Sequence, residues 1–321
     1  MLKYVLRRVL YLVPVFFGIT LLVFTIERLA GDPVELYGAL NPNITEQQRE
    51  LLRKSLHLDQ PIQVQYLSWL SDLLHLNLGS SFSGGSVATL IAQRIWATLE
   101  LQLLGLTLSL IIAIPIGITS ARKRYSALDV TITSTSLIGT SIPIFFLGVA
   151  AILIFGYHLH WFPSGGFQST LPSQYPYGSL LLDQLWHLFL PATIYTFAIL
   201  APVVLLVRSS MLEVLRQDYI LAAKASGLKD RTVIYKHGLR NALIPIVTYV
   251  GLYFGGLLAG APVTETVFNW PGVGRMFVDY TTQLDFPVIQ AIVVIITLMT
   301  LIANLITDVT YAYIDPRIRL E

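Results

Sequence analysis

Six long runs of this sequence contain no Asp, Glu, Lys, Arg or His, and they limit the possible folds more than any other feature. They cover residues 9–26, 101–121, 130–157, 188–207, 241–264 and 286–307, which is 18, 21, 28, 20, 24 and 22 residues. About 20 residues of α-helix, rising ~1.5 Å each, cross the hydrocarbon core of a bilayer, so every run is long enough to span it. The expected fold is an all-α membrane protein with six transmembrane helices. Composition agrees, since 54% of residues are hydrophobic and 12% charged, where about a quarter of a soluble domain is charged. The apolar run after Arg8 has no small-residue cleavage site, so it reads as a first membrane helix and not a removable leader. A net charge of +2, spread along the chain, argues against nucleic acid as a partner. With no Cys, disulfides and thiolate metal sites are excluded.

Lys and Arg stay on the cytoplasmic side of membrane proteins, and this sets the expected orientation. With both termini inside, Lys3, Arg7, Arg8, Arg122, Lys123, Arg124, Arg317, Arg319 and seven residues of a central loop are cytoplasmic, 15 against 6 outside. The expected layout is residues 1–30 as N-terminus and first span, 31–98 as a small extracellular helical insertion, and 99–321 as the core holding spans two to six. Inside the insertion, Thr45 and Gln48 have capping-box spacing ahead of a charged helix that runs toward Pro61. A second helical pattern, VQYLSWLSDLLHLNLG, follows, and then a turn-rich SSFSGGS. Two roles for this cap stay open: shielding the first span, or receiving a partner protein.

Pro115 and Gly117 fall in the second run, and Gly139, Pro143 and Gly148 in the third. Such residues allow kinks and close helix packing, whether for packing alone or to line a pathway. His158 and His160 form a His-x-His with no third ligand near in sequence, which reads as incidental and not as a metal site.

No run carries an ionisable group at its centre; Glu27, Glu100, Arg208, Glu265 and Asp308 all lie at ends. Proton- or sodium-coupled carriers place such groups near the midplane. A membrane-embedded enzyme would need a nucleophile–base pair or metal ligands at that depth, and neither is visible. The chain also lacks Gly-x4-Gly-Lys-Ser/Thr. If ATP drives a process here, another polypeptide must hydrolyse it and this chain must offer that polypeptide a surface.

The candidate surface is the polar interruption 208–240, RSSMLEVLRQDYILAAKASGLKDRTVIYKHGLR, with seven of the 21 Lys and Arg residues. At 100° per residue, Glu213, Arg216, Gln217 and Lys224 share one face, and Met211, Leu215, Tyr219, Ala222 and Ala225 the other, with Asp218 and Ile220 breaking the pattern. Asp218 is the expected N-cap of a short helix restarting at Tyr219, and Gly227 its C-cap in the left-handed conformation. The small residues Ala222, Ala223, Ala225 and Ser226 would let another surface approach closely. An ordinary connector between spans is the competing reading.

This stretch resembles the EAA loop of permease subunits in binding-protein-dependent ABC importers, written Glu-Ala-Ala, three residues, Gly, nine residues, Ile-x-Leu-Pro. Ala222, Ala223, Gly227 and Leu239 match that form, whereas Leu221, His237 and Arg240 stand where it has Glu, Ile and Pro. The dipeptide and oligopeptide branch is more similar: Asp218, Tyr219, Ala223, Ala225, Gly227, Leu228, Arg240, Ala242, Leu243 and Pro245 all fit it. NPNITEQQRELLRKSLHLDQPIQVQYLSWL and the later LGSSFSGGSVATLIAQRIWATLEL resemble the opening of the same subunits, with Asn77 departing from the Gly-Asp that usually precedes LG. The segment TETVFNWPGVGR matches at Glu265, Thr266, Val267, Phe268, Trp270, Pro271, Gly272 and Gly274, and the C-terminus at Asp315, Pro316 and Arg317.

The resemblance implies a type I ABC importer permease of the B type. It would pair in the membrane lipid with a second, related permease, two ATPase subunits inside and an extracellular substrate-binding protein. The chain would bind no cofactor or metal and do no catalysis, with ATP and Mg held by the partner ATPases. Asp218, Tyr219, Ala222, Ala223, Ala225, Gly227 and Leu228 would couple to the ATPase. Glu265, Trp270, Pro271, Gly272 and Gly274 would form an outer loop or gate, with Glu265 either pairing with Arg275 or helping the seal. Di- or oligopeptides are the expected cargo; nickel chelates, oligosaccharides and a stand-alone secondary carrier are the alternatives.

Overall fold

The computed structural model describes residues 2–314, so Asp315, Pro316, Arg317 and Arg319 lie outside the described residues. Among the described residues the chain is helical, and the only β feature is an isolated bridge between Ser80 and Ser86. Four helices are long and apolar enough to span: α1 (Leu2–Ala30), α5 (Val87–Arg122), α8 (Leu180–Val214) and α14 (Phe286–Ile314). Two further spans are bent pairs, α6 (Ala127–Ser141) with α7 (Ile144–His158) at 92°, and α10 (Asp230–Ala242) with α11 (Ile244–Ala259) at 42°. Shorter helices are α2 (Pro33–Leu40), α3 (Glu46–Ser55), α4 (Ile62–Leu74), α9 (Asp218–Ala225), α12 (Pro262–Val267) and α13 (Val273–Thr282).

The run 130–157, expected as one helix, is therefore two. Pro143 supplies no N–H to the helix and its ring pushes Ile142 to extended backbone (φ −83°, ψ 124°). The run 241–264 also stops early, because Gly260 takes φ +74° after a last tight turn and α12 starts afresh at Pro262. At the other extreme, α5 begins 14 residues before its charge-free run, since Arg94 and Glu100 are carried within the helix.

The chain forms two compact units. The first holds residues up to Thr98, Phe254–Pro262 and the chain from Pro271. Here Asp32 caps α2, accepting from Val34 N (2.8 Å) and Glu35 N (3.3 Å), with Pro33 preset at the first helical position. The predicted capping box of α3 is present, with Gln48 N on Thr45 Oγ1 at 3.3 Å and Thr45 N on Gln48 Oε1 at 2.8 Å. Arg49 reaches Glu35 (3.4 Å) and Arg53 reaches Asp32 (3.3 Å), tying α3 to the start of α2. Helix α4 lies on α1 through Phe24, Tyr66 and Trp69, and Leu70 and Leu73 pack with Val294 of α14. A second core joins Val87 and Ile91 of α5 to Met276, Val288 and Ile292.

The second unit holds Leu99–Tyr253 and Val263–Trp270. Its tightest packing is between α5 and α8. A Cβ on Gly105 would sit 2.5 Å from the Tyr195 ring, and one on Gly117 would sit 2.6 Å from Val207 and 3.0 Å from the Val204 carbonyl. Small residues at these two points set the approach of the helices.

Candidate functional site

The polar interruption is built from the end of α8, all of α9 and most of α10. Its root is fixed by charge. Arg208 donates Nε to Asp129 Oδ1 (2.6 Å) and Nη2 to Asp129 Oδ2 (2.8 Å), a bidentate pair. The Ser120 hydroxyl donates to Oδ1 and the Tyr125 N–H to Oδ2 (2.9 Å), while Ser126 Oγ caps α6 by accepting from Asp129 N (3.3 Å). Side-chain exposure is 3% for Asp129 and 22% for Arg208. Three groups therefore make four hydrogen bonds to one carboxylate, and through it the ends of α5, α6 and α8 are linked where the interruption begins.

After α8 the chain leaves helical winding at Leu215–Gln217 and restarts at Asp218. Gln217 is the N-cap residue and makes no side-chain cap bond, so Asp218 is the first helical residue and not the cap. Its carboxylate lies in the first turn, where negative charge still suits the helix dipole. The other end follows expectation more closely. Ser226 is the C-cap and Gly227 follows at φ +77°; Gly227 N bonds Lys224 O (3.0 Å) and Leu228 N bonds Ala223 O (3.4 Å). These two bonds form a Schellman motif, which only a residue at ease in the left-handed region completes without strain.

The predicted wheel does not carry across the break. Met211 is buried and, with Leu215, lies 3.6–3.7 Å from where a Cβ on Gly238 of α10 would stand. On α9, however, Ile220 is the buried residue, and Tyr219, Ala222 and Ala225 are exposed. Restarting the helix at Asp218 resets the phase, so residues on either side of Gln217 no longer share a face. Glu213, Arg216, Gln217 and Lys224 are exposed as expected. Helix α9 packs on residues 233–238 of α10, and Asn241 Nδ2 donates to Tyr219 Oη (2.7 Å), bracing the loop from its far end. Exposed apolar residues stand on α9 and beside it, Tyr219 (43%), Leu221 (54%), Leu228 (42%) and Tyr235 (48%), among the exposed polar Asp218 and Lys224. Ala222, Ala225 and Gly227 are exposed beside them and Ala223 is half-buried.

The residues of the segment 264–275 are placed differently. Glu265 and Trp270 are fully buried, with Trp270 N bonding Glu265 O (2.7 Å). Phe268 is buried too, and its carbonyl accepts from Gly166 N (2.9 Å), while Phe167 lies 4.9 Å from the Trp270 ring. A Cβ on Gly165 would stand 2.6 Å from that carbonyl. Pro271 is half-buried and Gly272 and Gly274 are buried; Gly272, in extended backbone, is the N-cap of α13. Within α13, Arg275 Nε lies 3.6 Å from Asp279 Oδ2.

Charge counting along the sequence missed three polar clusters. Asp129 pairs with a residue 79 positions away, and its lone charge at the edge of a run gives no hint of that. Asp183, fully buried, accepts from Ser169 N (2.6 Å) and Ser169 Oγ (2.7 Å), and His187 Nδ1 lies 2.9 Å from the Asp183 carbonyl. Tyr195 donates to Gln102 Oε1 (2.9 Å) and bonds Tyr253, whose ring stacks 6.2 Å from Tyr249. Among the described residues no three His, Asp or Glu side chains gather as a metal site.

Residues 113–320 match the family described as binding-protein-dependent transport system inner membrane component, and residues 1–102 match its N-terminal component. The oligopeptide transport system permease protein AppB of Bacillus subtilis is 42% identical over 321 residues, covering 99% of each chain. The dipeptide transport system permease protein DppB of Escherichia coli K12 is 38% identical, again covering 99% of each. A chain of the MetNI methionine ABC transporter superimposes with a TM-score of 0.52 at 18% identity, over 68% of this chain and 95% of that one. That likeness fixes a type I importer permease fold, and the spans fit a multi-pass inner membrane protein.

Proposed function

This chain belongs to the family of binding-protein-dependent transport system inner membrane components, and on that premise we propose that it is the B-type permease of an ATP-driven importer of di- or oligopeptides. One observation carries the coupling role: the eight-residue α9, braced by Asn241, and the turn after it leave Tyr219, Leu221, Ala222, Ala225 and Leu228 exposed on a polar loop. Exposed apolar side chains grouped in this way fit a protein partner. In this reading α9 sits in a groove of an ATPase subunit on the cytoplasmic side, and ATP with Mg is held there and not by this chain. A second permease completes the path, and an extracellular binding protein delivers the peptide. Closure of the two ATPases moves α9, and the Asp129–Arg208 pair passes the displacement to α5, α6 and α8 as a rigid-body switch.

The buried places of Glu265 and Trp270 favour an anchoring role for the outer segment, with Pro271, Gly272 and Gly274 turning the chain into α13. The cargo for which the relatives are named, oligopeptides and dipeptides, supports peptide import over nickel chelates or oligosaccharides.

With no native Cys, single-Cys labelling is direct. Ala222→Cys or Leu228→Cys should cross-link to the ATPase in the assembled complex with a short bifunctional reagent, and Leu137→Cys, exposed on α6, should not. Equal yields at all three positions would sink the docking assignment. For cargo, dipeptide should stimulate ATP hydrolysis in proteoliposomes holding the binding protein; stimulation by a nickel chelate or an oligosaccharide alone would replace peptide as the substrate.

A further inference from the structure

The turn between α5 and α6 carries Arg122, Lys123 and Arg124 in a row, directly between the charge-free runs 101–121 and 130–157. It is short and closed. Lys123 N bonds Thr119 O (3.1 Å), Ser126 N bonds Lys123 O (3.0 Å), and α6 starts at Ala127. All three cations are exposed, and none makes an ion pair among the described residues. The carboxylate that belongs to this turn, Asp129, is taken up by Arg208, Ser120 and the Tyr125 N–H. The turn therefore presents uncompensated positive charge.

Reach and chemistry both fit this charge to a lipid headgroup. Helices α5 and α8 run side by side in the same direction, Gly105 facing Tyr195 and Gly117 facing Val204 and Val207, and the Asp129–Arg208 pair joins their ends. The turn and the polar interruption thus lie at one face of the membrane. The interruption has 33 residues, 208–240, in which to leave the bilayer, whereas the turn has four, Lys123–Ser126. Its side chains are therefore held at the level where the two spans end, which is headgroup depth. Tyr125, 76% exposed, stands at φ +63°, a conformation that non-glycine residues seldom take, and its N–H on Asp129 Oδ2 (2.9 Å) holds it there. The Arg124 guanidinium lies 4.2 Å over the Tyr125 ring and donates to its hydroxyl. Exposed apolar Leu128 and Val130 follow along α6. Cations, then an amphipathic ring, then apolar side chains match the order of phosphate, glycerol and acyl chain on entering a bilayer.

We propose that this turn is a binding site for the phosphate of an anionic phospholipid, with Arg122, Lys123 and Arg124 supplying the charge and Tyr125 the contact at glycerol depth. A zwitterionic lipid brings its own cation and gains less. A lipid held there restrains the turn that carries Asp129, so the charge of the membrane bears on the root of the polar loop. That consequence rests on the coupling role proposed above; the binding itself does not.

The test uses the assembled importer in nanodiscs of mixed phosphatidylcholine and phosphatidylglycerol. Leu128→Cys, at an exposed position of a chain with no native Cys, carries a fluorophore, the cysteines of the partner subunits having been replaced. Quenching by phosphatidylglycerol with a nitroxide near the top of its acyl chain is compared with quenching by phosphatidylcholine labelled in the same way, at equal fractions. The anionic lipid should quench more. Its relative affinity, read from the two quenching curves, should fall about fivefold for each cation changed to Gln, and should fall as salt is raised. Arg122→Lys with Arg124→Lys keeps the charge and should keep the preference, which separates lost charge from damaged folding. Should the triple Gln variant fail to insert, Lys123→Gln alone carries the same fivefold test. Equal quenching by the two lipids in the parent would overturn the proposal, and so would a preference unchanged by the Gln substitutions. If the Gln variants keep the lipid preference and lose the ATPase subunits on purification, the cations serve an acidic protein surface and the proposal fails. The quenching is read without peptide or ATP, so it stands or falls apart from the transport reading.

Discussion

Asp129→Ala tests the root of the coupling loop. The substitution removes both bonds to Arg208 and the acceptors for Ser120 and Tyr125 N, leaving a guanidinium that is 22% exposed without its partner. Breaking a buried ion pair from one side costs about 3–5 kcal/mol, because the remaining charge stays desolvated. Water reaches part of Arg208, which places the cost near the lower end, about 3 kcal/mol. For a unit of this size about 2–4 °C of midpoint corresponds to each kcal/mol, so unfolding followed by tryptophan fluorescence should fall by roughly 6–12 °C. A double-mutant cycle separates the pair from general damage. Arg208→Ala alone should also destabilise, but the double variant should lose clearly less than the two single losses together, with a coupling of about 1 kcal/mol or more. If the pair transmits force, Asp129→Asn proteoliposomes should hydrolyse more ATP per peptide imported than the parent. Strict additivity in the cycle, or an Asp129→Ala midpoint equal to the parent's, would refute the reasoning.

Gly227→Asn should be tolerated and Gly227→Val should cost about 1 kcal/mol or more, since the residue stands at φ +77° with open space around a Cβ; ATPase co-purification with each variant measures this. Gly227→Asp should uncouple transport while the protein stays in the membrane, and normal transport rates would contradict the docking role. Gly117→Val places a side chain 2.6 Å from Val207 and 3.0 Å from backbone, so the yield of folded protein in detergent should drop sharply, whereas Gly256→Ala, with nothing near its Cβ, should express normally. Burial raises the Asp285 carboxyl above its usual range, partly offset by the Ser81 hydroxyl at 2.6 Å and nearby N–H groups. The folded state thus binds this proton more tightly than the unfolded chain, and stability rises as pH falls from the raised folded value toward the unfolded one. Asp285→Asn should flatten that slope in a pH series of thermal unfolding.

The spans were legible in the sequence because hydrocarbon rejects charge over about 20 residues, and the α3 capping box because its bonds are local. The 92° break at Pro143 was not, since proline in a membrane helix permits any angle from a slight kink to a corner, and distant neighbours decide. The wheel over 211–225 failed although Asp218 signalled a restart near Tyr219: the three-residue break after Val214 resets the helical phase, and the angle through which it turns the chain is set by packing and not by residue type. Gly227 was readable because a left-handed cap favours glycine. The Asp129–Arg208 pair and the Tyr195–Gln102–Tyr253 cluster depend on contacts between helices far apart in sequence, which no periodicity within one helix can report.

The corner at Pro143 restricts what can surround this chain. Proline offers no N–H, so a carbonyl in the preceding turn loses its usual donor, and the hydroxyls of Thr140 and Ser141 both turn back to the single carbonyl of Leu137 (2.8 and 2.9 Å). Ser141 and Pro143 are exposed on the isolated chain. Acyl chains cannot solvate bare peptide oxygens. We expect the elbow, once in the membrane, to turn toward a neighbouring subunit or water and not toward acyl chains.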